Sequence, residues 1–112
     1  MSEIRLAETI KATVLVSRPA ARRATHDIET AVLDESETLT FDFEGIRVVA
    51  PSFLDELLLV TEKAEVAGSS RKRIVFRNYP SGTEATLAAI GRAHDADVVL
   101  DERGAWVFTS SV

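Results

Sequence analysis

Apolar and polar residues alternate most regularly over residues 38–43, where the sequence reads Thr-Leu-Thr-Phe-Asp-Phe. A period of two residues is typical of a β-strand that buries one of its faces. Glu44-Gly45 ends this run, and Pro51-Ser52 predicts the start of a helix that extends from residue 52 to about residue 67. Gly68-Ser69-Ser70 is the predicted turn after that helix.

The same patterns predict the other elements. Alternation at even positions from 4 to 16, interrupted at Glu8, predicts two short strands or a hairpin near residues 3–7 and 12–16. Ser17-Arg18-Pro19 predicts the start of a helix. The remaining predicted elements are a strand at 73–77, a helix that opens at Pro80-Ser81 with a capping box from Ser81 to Glu84, and a hairpin of 98–100 with 105–108.

The predicted order of elements is therefore β-β-α-β-α-β-α-β-β. Strands that alternate with helices are typical of an α/β fold whose parallel strands are joined by right-handed crossovers. We expect a mixed sheet of four to six strands with three or so helices. At 112 residues the chain is expected to form one domain over 1–112.

Ser52 lies where the second long helix is predicted to begin, and Asp55 follows it at the spacing of a capping box. This spacing predicts that Ser52 is the N-cap and that its hydroxyl accepts a backbone N–H. The positive end of a helix also favours negative charge. The sequence thus leaves two roles open for Ser52, a helix cap and a regulatory hydroxyl that is phosphorylated.

Composition limits the classes of function. The net charge of −5 disfavours nucleic-acid binding, and the absence of cysteine excludes disulfides, thiolate metal sites and cysteine nucleophiles. The N-terminus lacks the pattern of a signal peptide, and no apolar run reaches the ~18 residues of a membrane span. We therefore predict a cytoplasmic protein that does not insert into a membrane.

No pattern of residues points to an active site. The five glycines are isolated, so no phosphate-binding loop is visible, and His26 and His94 do not have the spacing of metal ligands. Asp55 and Glu56 are adjacent in the predicted helix and point about 100° apart, which prevents them from sharing a proton. We expect no catalytic residues, no metal and no cofactor.

One stretch of the sequence is similar to a known family. Residues 41–46, Phe-Asp-Phe-Glu-Gly-Ile, and residues 51–57, Pro-Ser-Phe-Leu-Asp-Glu-Leu, resemble the uncharacterised STAS-like domain family, which shows Asp-Phe-x-Gly-Val and then Ser-Phe-x-Asp-Glu. That family is related to the STAS domain of bacterial anti-sigma factor antagonists. Where the antagonists read Asp-Ser-Ser-Gly-Leu, this chain reads Ala50-Pro51-Ser52-Phe53-Leu54, without the acidic residue and the glycine.

The resemblance implies a small bacterial regulatory domain that binds a protein partner, often a serine kinase of the histidine-kinase-like ATPase class. In the antagonists that kinase phosphorylates a serine at the start of the second helix, and Ser52 occupies the matching position. Phe53 is expected in the core or, if exposed, as an interface anchor. Asp42 is expected on the opposite face of its strand, either solvated or at the rim near Ser52.

The sequence therefore predicts a non-catalytic domain that acts by protein–protein contact. The predicted partner-contact residues are Asp42, Gly45, Arg47, Ser52, Phe53, Asp55 and Glu56. An alternative is a module that binds a small anionic ligand or a nucleotide at the N-terminus of the same helix. The sequence leaves the partner and the oligomeric state open.

Overall fold

Strands and helices alternate along the chain in the computed structural model, which describes residues 2–110. The strands are β1 (Ser2–Arg5), β2 (Val14–Leu15), β3 (Thr38–Asp42), β4 (Val48–Val49), β5 (Arg73–Arg77), β6 (Ala96–Leu100) and β7 (Trp106–Ser110). The helices are α1 (Leu6–Ile10), α2 (Arg18–Arg22), α3 (Thr25–Leu33), α4 (Pro51–Gly68) and α5 (Glu84–Ala93).

The main sheet has five strands in the order β1-β3-β5-β7-β6. Strands β1, β3 and β5 are parallel, whereas β7 is antiparallel to both β5 and β6. A second, two-stranded parallel sheet joins β2 to β4. The predicted α/β fold with a mixed sheet is confirmed, with five helices in place of the three or so expected.

The aromatic part of the core lies on one face of the main sheet, but β3 is buried on both faces, because Thr40 and Asp42 are each only 3% exposed. The expectation of a strand with one buried face is therefore wrong. Leu39 and Phe41 are fully buried, and Phe41 stacks on Phe76 of β5 with ring centroids 5.5 Å apart. Phe76 in turn contacts Phe108 of β7 at 4.8 Å. These rings form an aromatic row across three neighbouring strands, on which the apolar residues of α4 pack.

The prediction of two strands or a hairpin near residues 3–7 and 12–16 is only partly correct. Residues 6–10 form α1, which ends at Lys11 in the left-handed conformation (φ 60°). Strand β2 then pairs in parallel with β4, with Val14 opposite Val48, and not with β1. Of the even-numbered apolar residues, Ile4 meets the core from a strand and Leu6 and Ile10 from a short helix, whereas Val14 and Val16 are exposed and Leu15 between them is buried. The regular spacing therefore did not reflect one kind of element.

Of the predicted helix starts at Ser17 and Ser81, the first is confirmed and the second is wrong. The helix expected from Ser17-Arg18-Pro19 does begin there, because the Ser17 hydroxyl oxygen accepts the N–H of Ala20 at 3.2 Å, but the segment divides into α2 and α3. The capping box from Ser81 to Glu84 is wrong. Gly82 adopts a positive φ of 90°, so α5 begins only at Glu84, whose carboxylate accepts the Gly82 N–H at 2.9 Å.

We predict that Gly91→Ala destabilises the fold by about 1–3 kcal/mol, although alanine is the better helix former. A Cβ at this position in α5 would lie 2.1 Å from Cγ2 of Val98, a β-branched side chain that does not turn aside easily. The measurement is urea unfolding followed by circular dichroism.

The matched control is Gly68→Ala at the end of α4. Its Cβ would lie 3.1 Å from Cδ2 of Leu33, an exposed side chain that is free to move, so we expect a change within about 1 kcal/mol. Equal effects of the two substitutions would contradict the close packing of α5 on β6.

Candidate functional site

The start of α4 differs from the predicted capping box. Pro51 is the first helical residue and Ala50, which has an extended conformation (ψ 153°), is the N-cap. Ser52 therefore lies inside the first turn, where its side chain makes no capping hydrogen bond. Proline is favoured at the first helical position because its fixed φ suits the helix and its missing N–H would have had no helical partner. The predicted role of Ser52 as N-cap is wrong.

Ser52 instead contacts the segment after β2. Its hydroxyl donates to the carbonyl oxygen of Val16 at 3.2 Å. Two backbone hydrogen bonds lie before this contact along the chain. The Arg47 N–H donates to the Thr13 carbonyl at 2.7 Å, and the Ala50 N–H donates to the Leu15 carbonyl at 2.8 Å. The segment from residue 47 to residue 52 is thus attached along residues 13–16, which brings the predicted contact residues Arg47 and Ser52 onto one surface.

Three exposed valines surround this attachment. Val14, Val16 and Val48 retain 47%, 49% and 48% of their accessible surface, whereas Leu15 between the first two is fully buried. Val14 and Val48 lie side by side in the β2–β4 pairing, and the Val16 carbonyl accepts the Ser52 hydroxyl. We call this group, with the half-buried Ser52 at its border, the valine patch.

Asp55 and Glu56 are held by basic residues from two other helices. Arg18 of α2 donates from Nη1 to Asp55 Oδ2 at 2.7 Å and to Glu56 Oε1 at 3.4 Å. Arg22 donates from Nε to Glu56 Oε2 at 3.1 Å, and Nε2 of His94 lies 2.7 Å from Asp55 Oδ1. These two carboxylates therefore connect α4 to α2 and to the end of α5, and both are occupied within the domain.

We call this group of Arg18, Arg22, Asp55, Glu56 and His94 the ion-pair cluster. The same contacts shift the pKa values of His94 and Asp55. Burial on its own would lower the pKa of His94, but hydrogen bonds to Asp55 and Glu62 outweigh it and raise the pKa above the ordinary histidine value. The hydrogen bond from Arg18, followed by the contact with His94, lowers the pKa of Asp55. These contacts thus favour the protonated form of His94 and the ionised form of Asp55.

Asp42 and Phe53 are placed inside the domain and not on its surface. Asp42 is 3% exposed, and its Oδ1 accepts from Asn78 Nδ2 and from the N–H of Glu44, both at 2.9 Å. Burial alone would raise the pKa of Asp42, but these hydrogen bonds and nearby Arg77 lower it. Phe53 is fully buried in the core. Neither side chain is accessible to a partner in this conformation, which corrects their placement among the contact residues.

Gly45 lies in the turn that follows β3. Its φ is positive, at 86°, a conformation that glycine adopts without strain. It is exposed, like Arg47, so both positions remain accessible. Within residues 2–110, no three histidine, aspartate or glutamate side chains are grouped in a way that would hold a metal ion. None of the helices in that range combines the length and apolar character needed to cross a lipid bilayer.

The fold and this site define the class of the protein as an α/β domain whose mixed sheet is compatible with the STAS-like fold. The sequence profile of the STAS-like domain of unknown function matches residues 20–79, a little over half of the chain. The chain belongs to this family, and the predicted membership is confirmed. Comparisons with curated proteins and with solved structures found no match.

Sequence reasoning missed the basic half of the cluster. The sequence placed Arg18 only at the start of a helix, assigned Arg22 no role, and showed of His94 only that it lacks the spacing of a metal ligand. Arg18 and Arg22 are separated by one helical turn and so share a face of α2, which was a usable signal. The sequence did not show that this face meets the first turns of α4, because that contact depends on the tertiary path of the chain.

We predict that His94 makes stability depend on pH. Its pKa in the folded state lies above the unfolded value of about 6.5, so its contribution is fully present below that pH and is lost as pH rises through the folded pKa. Asp55 acts in the opposite sense, because its lowered pKa gives a contribution that is lost only as pH falls through the folded value. Urea unfolding at a series of pH values measures both trends.

In the His94→Gln variant, the free energy of unfolding should fall less as pH rises than it does in the native protein. In the control His26→Gln, at an exposed position on α3, this fall should be unchanged. Nuclear magnetic resonance titration of the His94 ring measures its folded-state pKa independently. A folded-state pKa at or below the ordinary histidine value would contradict the ion-pair cluster.

Proposed function

We propose that this domain is a non-catalytic regulatory domain that binds a protein partner through the valine patch. The observation that carries the proposal is the position of three exposed valines around Ser52. Apolar side chains with half of their surface in water gain free energy when a partner covers them, at roughly 25 cal/mol per Å². Arg47 precedes Val48 and bonds through its backbone N–H to Thr13, so it borders the patch and offers a polar contact at its rim.

Ser52 suits a role as the switch of this surface. Its hydroxyl donates its proton to the Val16 carbonyl, and a phosphate ester would replace that donor with acceptor oxygens that repel the carbonyl. The positive end of α4 would favour the phosphate itself. Asp55 in the same turn is paired with Arg18 and His94, which reduces its repulsion of a phosphate. Phosphorylation would thus alter the valine patch while α4 stays folded.

The resemblance to anti-sigma factor antagonists supports a partner of the histidine-kinase-like ATPase class that acts as a serine kinase. In that case the kinase would bind the unmodified domain and dissociate from the phosphorylated one. The departures from the antagonist motif at Ala50 and Phe53 lie on either side of Ser52, so this chain would need a kinase that accepts an apolar sequence around the serine.

We predict that Val48→Glu abolishes binding of the partner while the domain stays folded, because the new carboxylate would be desolvated in the interface. The matched control is Val66→Glu, the same change at a valine on α4 that is 78% exposed. The measurement is affinity purification from the native host with each variant, followed by binding of the purified partner to each variant.

A protein that binds the native domain and the Val66→Glu variant but not the Val48→Glu variant would support the proposal. Equal binding to all three would contradict the valine patch as the interface. A rise in unfolding temperature with inorganic phosphate or a nucleotide alone would instead support the module for small anionic ligands.

We predict a phosphate on Ser52 in protein that is isolated from its host with phosphatase inhibitors. Intact mass and a peptide map detect it. Ser52→Asp should weaken partner binding, whereas Ser52→Thr, which keeps the hydroxyl donor, should preserve it. Ser52→Ala should bind normally and lose only about 0.5–1.5 kcal/mol of stability with the hydrogen bond to Val16. An unmodified protein under all growth conditions, with normal binding by Ser52→Asp, would overturn the switch.

A further inference from the structure

Strand β6 is an edge of the main sheet in which Asp97 is the one charged residue, followed by the apolar run Val98-Val99-Leu100. It pairs with β7 on one side, and within residues 2–110 no other strand covers its second side. Val99 and Leu100 retain 61% and 53% of their accessible surface. Edge strands are normally protected by charged side chains, as on β1, where Glu3 and Arg5 form an ion pair at 3.2 Å. An apolar edge of this kind favours pairing with another strand.

The hairpin register shows which backbone groups point outward. The N–H of Asp101 donates to the Ala105 carbonyl at 2.8 Å, so this pair is hydrogen-bonded. Hydrogen-bonded pairs alternate along an antiparallel ladder, so Val99 is bonded to Val107 and Asp97 to Thr109. The N–H and C=O groups of Ala96, Val98 and Leu100 therefore point away from β7, toward the open side.

We propose that two copies of this chain pair through β6, antiparallel and about a two-fold axis at Val98, to form one continuous sheet. In this register Val98 pairs with its own copy, and Ala96 pairs with Leu100 of the second copy. Every outward N–H and C=O of these three residues then has a partner. With the axis at Asp97 or at Val99, Leu100 or Ala96, respectively, would have no β6 residue of the second copy opposite it, so its outward N–H and C=O would lack a strand partner.

The side chains fit this register. Leu100 lies on the helix-bearing face of the sheet and would meet Ala96 of the second copy, so a large apolar residue is opposite a small one. Beyond each end of the paired strands, Asp95 would lie across from Asp101 of the second copy. The exposed Arg103 lies in the turn after Asp101, and its backbone N–H donates to Asp101 Oδ1 at 2.8 Å, so each copy carries one positive side chain within two residues of this carboxylate.

The spacing of the helices also fits. Gly91 of α5 packs against both Val98 and Phe108, so α5 lies over the boundary between β6 and β7. In the paired sheet, α5 and its copy would be two strand spacings apart, roughly 9.6 Å. Helices pack at axial separations of about 8–10 Å. The dimer would therefore add a helix–helix contact to the strand pairing without any rearrangement of the domain.

Sedimentation of the full chain over a wide range of concentrations tests the proposal. A five-residue strand and one side of a helix make a small interface, so we expect a weak dimer that dissociates on dilution. Leu100→Lys should raise the dissociation constant about tenfold to a hundredfold. Leu33→Lys, at a leucine of α3 that is 70% exposed, is the matched control and should leave the constant unchanged.

Leu100→Pro separates edge pairing from simple apolar contact. Proline removes an N–H that points outward and leaves the ladder to β7 intact, so the monomer should keep its circular dichroism spectrum while the dimer is lost. Arg103→Glu should weaken the dimer, with Arg47→Glu as its control. A chain that is monomeric at every concentration, or a dimer that Leu100→Lys and Leu100→Pro leave unchanged, would overturn the proposal.

Discussion

The packing of α4 on the aromatic row is the contact on which the rest of the molecule depends. Phe41, Phe76 and Phe108 come from three adjacent strands, and their ring contacts leave α4 one position over the sheet. Phe53 anchors the first turn of α4 in the core, so the orientation of the remaining residues in that turn is fixed by packing and not by capping.

The first turns of α4 then act as a junction between elements. Asp55 and Glu56 both bind Arg18 of α2, and Asp55 also contacts His94 at the end of α5. Ion pairs at partly exposed positions contribute little stability individually, but this group links helices that share few other polar contacts. The acidic residues that resemble a partner-binding motif therefore have an internal role, and the accessible part of the site moves toward β2 and β4.

Elements that depend on neighbouring residues in the sequence could be predicted, whereas those that depend on residues distant in the sequence could not. Residues 38–43 and 73–77 were predicted almost to the residue, because alternation of apolar and polar residues is a local property. The burial of both faces of β3 was not predicted, since it depends on what packs against the sheet. The short strands β2 and β4 were not, since two-residue strands exist only through their pairing with each other. The role of Ser52 was misjudged for the same reason. Its hydroxyl donates to the carbonyl of Val16, which is distant in sequence. A capping rule that considers only neighbouring residues does not predict such a contact.

The two proposed surfaces belong to different sheets, and this separation has a consequence. The valine patch rests on the β2–β4 pair, whereas the β6 edge ends the main sheet. A phosphate at Ser52 would displace the Val16 carbonyl and leave the outward groups of Ala96, Val98 and Leu100 as they are. Phosphorylation would then release the partner from the valine patch of each copy without dissociating the dimer. A two-fold pair of such domains would present two patches at once, which raises the avidity for a partner that is itself dimeric.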